Sequence, residues 1–295
     1  MPLKHIGLAI IVAAAWGFNF IAVHFGVLHY PPIFLAALRF ISIGIFAVFI
    51  PRPTAWRYLL CVGLSTGTLQ FMFMFSAINQ GAPIGLASLI VQVQAFSTAI
   101  FASIFLSERI KIFQWIGILL GLCGILVIAL ARDIGTMPPM ALILLLLGAL
   151  SWSIGNIFMK VMGPVPVMPF LVWMSVIPPI PLLLLSLYWE GFDAVSKSVL
   201  NFEIYSFISL LYIVLVSTLI GYGLWNWLLA KHPASVVGPY SLLVPVFGMS
   251  AGIFILGEKI STLEWIGAFI VLLGLLFNVF GSKLFKKSTT KEVSL

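Results

Sequence analysis

Residues 106–117 read LSERIKIFQWIG, and residues 256–267 read LGEKISTLEWIG. The offset is 150 residues with no gap, and it carries Glu108 onto Glu258, Arg109 onto Lys259, Trp115 onto Trp265 and Gly117 onto Gly267. The register continues to Gly124 and Gly274, and nine of the 21 positions from 106 to 126 are identical. Leu and Ile matches carry little weight in so apolar a chain, whereas Glu and Trp are scarce, so their coincidence points to an internal duplication. Fainter echoes accompany it. Thr68-Leu69 recurs as Thr218-Leu219 at the same offset, and the eight-residue spacing from Trp16 to His24 recurs from Trp152 to Lys160.

The solvent of this chain is a bilayer. Of its 295 residues, 62% are hydrophobic and 8% charged, with a mean hydropathy of +1.20; soluble domains carry about a quarter charged residues. The apolar residues fall in runs of about 20, the length of a membrane-spanning helix. Ten spans are expected, near 5–26, 33–50, 57–79, 84–106, 112–131, 139–161, 168–189, 204–230, 234–256 and 262–281, separated by turn-forming stretches such as HYPP, NQGAP and GPVPVMP. Continuous runs of this length exclude a membrane β-barrel, whose strands alternate over about ten residues. The first run could pass for a signal peptide, but it continues to Phe25, past a signal core, and reads as an uncleaved first helix.

Lys and Arg set the orientation. With the N-terminus inside, the inner segments hold eleven of the 15 and the outer segments three (Arg132, Lys197, Lys259), while Arg39 lies within a span. The net charge of +7 is therefore a membrane-orientation signal and does not point to nucleic acid. Both termini are expected in the cytoplasm. Each half holds an odd number of spans, so the second copy enters the membrane upside down. The expected organisation is an all-α integral membrane protein of two inverted five-helix repeats, 5–131 and 139–281, with a basic cytoplasmic tail at 282–295. Inverted repeats place a substrate site near the midplane and suit alternating access; a merely stable bundle is the plainer alternative.

Polar groups in lipid are costly and face the protein interior or a wet cavity. Asn19 and His24 in helix one, Arg39 in helix two, Gln70 in helix three, Gln92 and Gln94 in helix four, Asn156 and Lys160 in helix six, and Tyr240 in helix nine are the candidates. Arg39 has no Asp or Glu deep in any span to pair with. Two fates are open to it: bonding backbone carbonyls, or meeting a substrate carboxylate, which a guanidinium fits in a two-pronged geometry. His24 is the deep group able to titrate near neutral pH, either as a proton carrier or as a structural histidine. Gln92 and Gln94 point to nearly opposite faces of an α-helix, so one is expected on a cavity and the other on a neighbouring helix. Trp16 and Trp152 could wall an apolar cavity or face lipid. Pro178 and Pro179 interrupt helix seven, and Pro239 and Pro245 helix nine, as static kinks or as hinges. Glu108 and Glu258 read as interfacial anchors beside cations. Helices five and ten carry Gly117, Gly121, Gly124, Gly267 and Gly274 in place of polar groups, which suits close packing or a dimer contact. Cys61 and Cys123 lie in apolar runs and read as buried free thiols. No nucleotide loop, metal motif or nucleophile elbow is present, so neither an ATP-driven pump nor an enzyme is supported, and no cofactor is expected.

WGFNFIAVHFG with PPIFLAALRF, GLASLIVQVQAF, the SERI–WIG hairpin, SWSIGNIFMK, and GPYSLLVPVFG followed by GEKI–EWIG resemble the EamA family of the drug/metabolite transporter superfamily over residues 5–281. The stretches around Arg39, Gln92–Gln94 and Asn156 are most similar to its bacterial exporters of O-acetylserine and cysteine. The resemblance implies ten helices, two inverted EamA repeats and efflux of amino acids or related metabolites across the bacterial inner membrane. His24 departs from the lysine often found there in such relatives.

The expectation is thus a multi-pass secondary transporter, monomer or homodimer, whose partners are the bilayer and a small amino-acid-like zwitterion. Arg39 would hold the substrate carboxylate, with Asn19, Gln70, Gln92 and Asn156 on its other polar groups and Trp16, Trp152 and Tyr240 around it. A drug exporter of the same superfamily, or a channel or scaffold without alternating access, are the alternatives.

Overall fold

Uninterrupted apolar runs leave the backbone no partner in lipid but itself, and the helix is the answer a single segment can give. A computed structural model describes residues 1–107, 110, 112–130, 137–232, 237, 240–241 and 243–286, and all regular structure among them is helical. The long elements are α1 (Leu3–Val27), α2 (Pro32–Phe49), α3 (Trp56–Asn79), α4 (Ile84–Leu106), α5 (Ile112–Leu130), α6 (Pro139–Met162) and α7 (Val167–Trp189). A short amphipathic α8 (Phe192–Leu200) follows. Next comes α9 in three consecutive pieces, Ile204–Leu211, Tyr212–Ile220 and Gly221–Lys231, then α10 (Leu243–Leu256) and α11 (Thr262–Lys286). Seven of these are long and apolar enough to cross a bilayer, and α5, α10 and α11 contribute three shorter apolar stretches. Large apolar side chains such as Val48, Leu119, Leu126, Phe254 and Phe269 point outward, as a lipid-facing belt requires. Cys61 and Cys123 are free; Cys123 is exposed on that belt, not buried as the sequence suggested.

The glycines of the repeated stretch pair α5 with α11. A Cβ on Gly124 would stand 2.7 Å from the Gly267 carbonyl oxygen, and one on Gly274 would stand 2.6 Å from that of Gly117. Gly124 therefore meets Gly267 while Gly117 meets Gly274, so the two helices run antiparallel. The 150-residue offset exchanges the two contacts. Without Cβ atoms the backbones can touch, and close packing is what drives helix association in lipid. This contact lies within one chain.

The faint threonine echo also has a structural counterpart. Both α3 and α9 widen into π-helix, at Gly63–Leu69 and Tyr212–Ile220. Thr68 Oγ1 donates to the Gly63 carbonyl at 3.3 Å, and Thr218 Oγ1 donates to that of Ile213 at 2.7 Å, each five residues back. Such bulges leave carbonyls that a hydroxyl can satisfy.

α7 is broken between Met174 and Pro179. The break packs into the groove of α3: a Cβ on Gly63 would lie 2.7 Å from Ile177 Cβ, and Pro178 fills the space at Gly67. Pro179 starts the second half of α7, at a position where its missing N–H has no intrahelical role. Pro245 is the third residue of α10, again in a first turn, so it does not interrupt that helix as the sequence suggested. Pro239, Glu108 and Arg109 lie outside the described residues.

Among the described residues, four carboxylates accept hydrogen bonds from amides at helix N-termini, where free amides and the helix dipole favour a negative charge. Glu190, after α7, accepts from the Ile33 and Phe34 amides of α2 at 2.6 and 3.1 Å. Glu203 caps its own α9 through the Tyr205 and Ser206 amides. Glu264 forms a reciprocal capping box with Ser261 at the start of α11. Glu258, expected as a surface anchor beside cations, instead binds the Ile84 and Gly85 amides of α4.

Candidate functional site

A cavity of about 610 Å³ lies at the centre of the bundle. Its described wall comes from α1, α2, α3, α4, α6, α7, α9 and α10, with no described residue of α5 or α11 among the lining. Pockets of about 300–1,000 Å³ hold small ligands. The cavity reaches the α6–α7 connection, where Met162, Gly163 and Val165 line it, so it extends toward the end of the bundle opposite Glu190 and Glu258. Among the described lining residues there is no Asp or Glu.

Arg39 sits on the inward face of α2 and is 2% exposed. Its guanidinium carbon stacks 4.1 Å from the centroid of Phe71 and 5.7 Å from that of Phe40. Its Nε and Nη1 are buried without a hydrogen-bond partner, and so is Oδ1 of Asn19 on α1. One group is a free donor and the other a free acceptor, on one cavity. A buried polar atom without a partner costs about 1–3 kcal/mol, and such atoms persist where a ligand supplies the missing bond.

Gln92 and Asn156 are tied to neighbouring segments. Gln92 Nε2 donates to the Ser241 carbonyl at 3.1 Å, joining α4 to the segment before α10. Asn156 Nδ2 donates to Gln94 Oε1 at 3.0 Å and to Thr98 Oγ1 at 3.1 Å. Ser97 and Ser153 share a 2.6 Å bond beneath. Both glutamines therefore line the cavity and both hold a neighbour, contrary to the expected division. The reason is a 3-10 turn at Val91–Val93. Three residues per turn leave Gln92 and Gln94 roughly 120° apart, where an α-helix would leave about 160°.

Trp16 is fixed across to α9. Its Nε1 donates to the Ser217 carbonyl at 3.0 Å, and its ring tilts against Tyr222 and Trp225, each at 5.2 Å. Trp152, Gln70 and Tyr222 complete this part of the wall.

Of the residues singled out from sequence, Trp16, Asn19, Arg39, Gln70, Gln92, Trp152 and Asn156 line one cavity. Tyr240 does not; it packs in a separate small cluster with Ala9, Leu228 and Val237. His24 is also off the wall, edge-on to Phe25 at 5.5 Å. Phe71 went unnoticed because it is one of 25 phenylalanines, and nothing in its spacing distinguishes it. The lining methionines, among them Met159, Met162 and Met174, were missed for the same reason.

The chain matches the EamA-like transporter family over residues 3–130 and 139–280. It belongs to that family. It is 40% identical over 294 residues to a probable amino-acid metabolite efflux pump of Salmonella typhimurium, covering 97% of each chain. It is 38% identical to the pump of the same description in Escherichia coli, over 93% of this chain and 94% of that one. It is also similar, at 22% identity over 92% of its length, to an uncharacterized inner membrane transporter of Escherichia coli. A crystal structure at 17% identity shares the fold with a TM-score of 0.64, covering 98% of this chain and 100% of the other. This EamA-family chain is thus a multi-pass membrane transporter.

Proposed function

We propose that the chain exports small amino acids or amino-acid-like metabolites, of the cysteine and O-acetylserine kind, across the bacterial inner membrane by alternating access. The observation that carries this reading is the pairing of free donors on Arg39 with a free acceptor on Asn19, on a cavity with no carboxylate among its described lining residues. A carboxylate meets the guanidinium through charge-assisted bonds. An ammonium group donates to Asn19 Oδ1. A lipophilic cation would find no counter-charge there. The relatives described as probable amino-acid metabolite efflux pumps match nearly the whole chain, which supports the substrate class.

In this reading α1–α7 and α9–α11 are ten spans, with both termini cytoplasmic, in two inverted repeats at 5–131 and 139–281 and a tail at 282–295. The antiparallel α5–α11 contact and the paired π-helical stretches suit that arrangement. The α6–α7 connection then faces the cytoplasm, and the cavity is open inward. Gln70, Gln92 and Asn156 bond the substrate's remaining polar groups while Trp16 and Trp152 enclose it. Pro178 and Pro179 mark where α7 can bend. His24 stands off the cavity wall, so a coupling role would act through the helix ends and not through contact with substrate.

The test is exchange of labelled cysteine and O-acetylserine by purified protein in liposomes. Saturable counterflow is expected, and Arg39→Ala should abolish it. Unchanged affinity and flux in Arg39→Ala would refute the site. Flux that ignores an imposed pH gradient would remove His24 from the mechanism.

A further inference from the structure

Glu258 belongs to the connection between α10 and α11, yet it binds a helix 174 residues earlier in the chain. Its Oε2 accepts from Gly85 N at 3.0 Å and its Oε1 from Ile84 N. These are first-turn amides of α4 with no intrahelical partner, and the positive end of the helix dipole adds to the attraction. The carboxylate lies in a notch that two glycines leave. A Cβ on Gly85 would stand 3.4 Å from Oε2, and one on Gly252 of α10 would overlap the carboxylate outright.

The notch continues toward the cavity as a glycine-lined seal. Gly248 of α10 faces the Ser88 side chain of α4 with no room for a Cβ, and a Cβ on Gly17 of α1 would stand 2.9 Å from the Val244 carbonyl oxygen. Three helices are thus at closest approach between Glu258 and the cavity. Ser88 is 1% exposed and lies where the seal meets the cavity wall.

We propose that Glu258 is the latch of the outer gate: its carboxylate ties α10 to the N-terminus of α4, and the cavity opens outward only when those two bonds break. The inference rests on the alternating-access reading with this face outward. It uses no property of the substrate.

The test replaces Cys61 and Cys123 by Ser and Ser88 by Cys. The initial rate of modification by a membrane-impermeant maleimide is then read separately on right-side-out and inside-out vesicles. Glu258→Gln removes the charge and one acceptor. Gly252→Ala leaves Glu258 in place but displaces its carboxylate. Each should raise labelling from the outside by about tenfold and lower it from the inside, as a shift of a two-state population requires. Lys259→Gln, beside the latch but not part of it, should stay at the parental rate. Outside rates unchanged in both Glu258→Gln and Gly252→Ala would overturn the latch. Labelling that rose only from the inside would overturn its assignment to the outer face. Neither readout needs a transported substrate, so failure of the amino-acid assignment would be seen separately, in the counterflow assay.

Discussion

The Arg39 guanidinium carbon lies 4.1 Å from the centroid of the Phe71 ring. The negative face of the ring stands in for a counter-ion, steadying the charge while leaving Nε and Nη1 free. A carboxylate in the same place would have occupied those donors and left none for the proposed substrate. A desolvated contact of this kind is worth about 2 kcal/mol, so Phe71→Leu should weaken substrate binding by up to about 30-fold. Phe71→Tyr, which keeps the ring face, should stay near the parent. Equilibrium binding to purified protein measures both.

Asn156, Gln94 and Thr98 act as one unit, because the Asn156 amide donates to both others. Asn156→Ala takes the donor from two half-buried acceptors, at about 0.5–1.5 kcal/mol for each hydrogen bond lost. Adding Gln94→Ala removes one of them. The double variant should therefore be less destabilised than the sum of the single ones, as thermal unfolding in detergent would show.

The α5–α11 crossing tolerates no side chain. Gly274→Val would drive a Cβ to 2.6 Å from the Gly117 carbonyl oxygen and cost at least about 1–3 kcal/mol as overpacking. A marked fall in melting temperature is expected. Gly7 of α1 has nothing within 4 Å of its would-be Cβ, so Gly7→Ala should be neutral, or stabilising by up to about 1 kcal/mol through helix propensity.

Two capping carboxylates should respond to pH with opposite sign. Burial pushes the Glu190 carboxyl above the usual carboxylate range, against the pull of the Ser186 hydroxyl and the Ile33 and Phe34 amides. The native state then holds that proton more tightly than the unfolded chain, so stability is greatest below the ordinary carboxylate value and falls as pH rises through the raised one. The Ser206 amide holds exposed Glu203 below the ordinary value. Its contribution is present above that value and lost as pH falls through the depressed one. Melting temperatures between about pH 3 and 7 should lose the first slope in Glu190→Gln and the second in Glu203→Gln.

What could be read from the residues followed from what lipid forbids. A chain with 8% charged residues has few places to put a polar side chain. Asn19, Arg39, Gln70, Gln92 and Asn156 line a single cavity because none of them can face hydrocarbon. The partnership of α5 with α11 was foreshadowed by glycines that recur at one offset, since close approach demands residues without a Cβ.

The sequence by itself determined the membrane, the helices, the duplication and most of the polar wall, because hydropathy and periodicity are local properties of the chain. Only the tertiary structure decided which ring lies under Arg39, that Glu258 reaches the first turn of α4, that a 3-10 turn brings both Gln92 and Gln94 to the cavity, and that Tyr240 packs elsewhere. Those outcomes depend on the rotation and register of helices far apart in sequence. A few degrees about an axis decide whether a side chain meets a cavity, a neighbour or lipid, and no single stretch of residues encodes that angle.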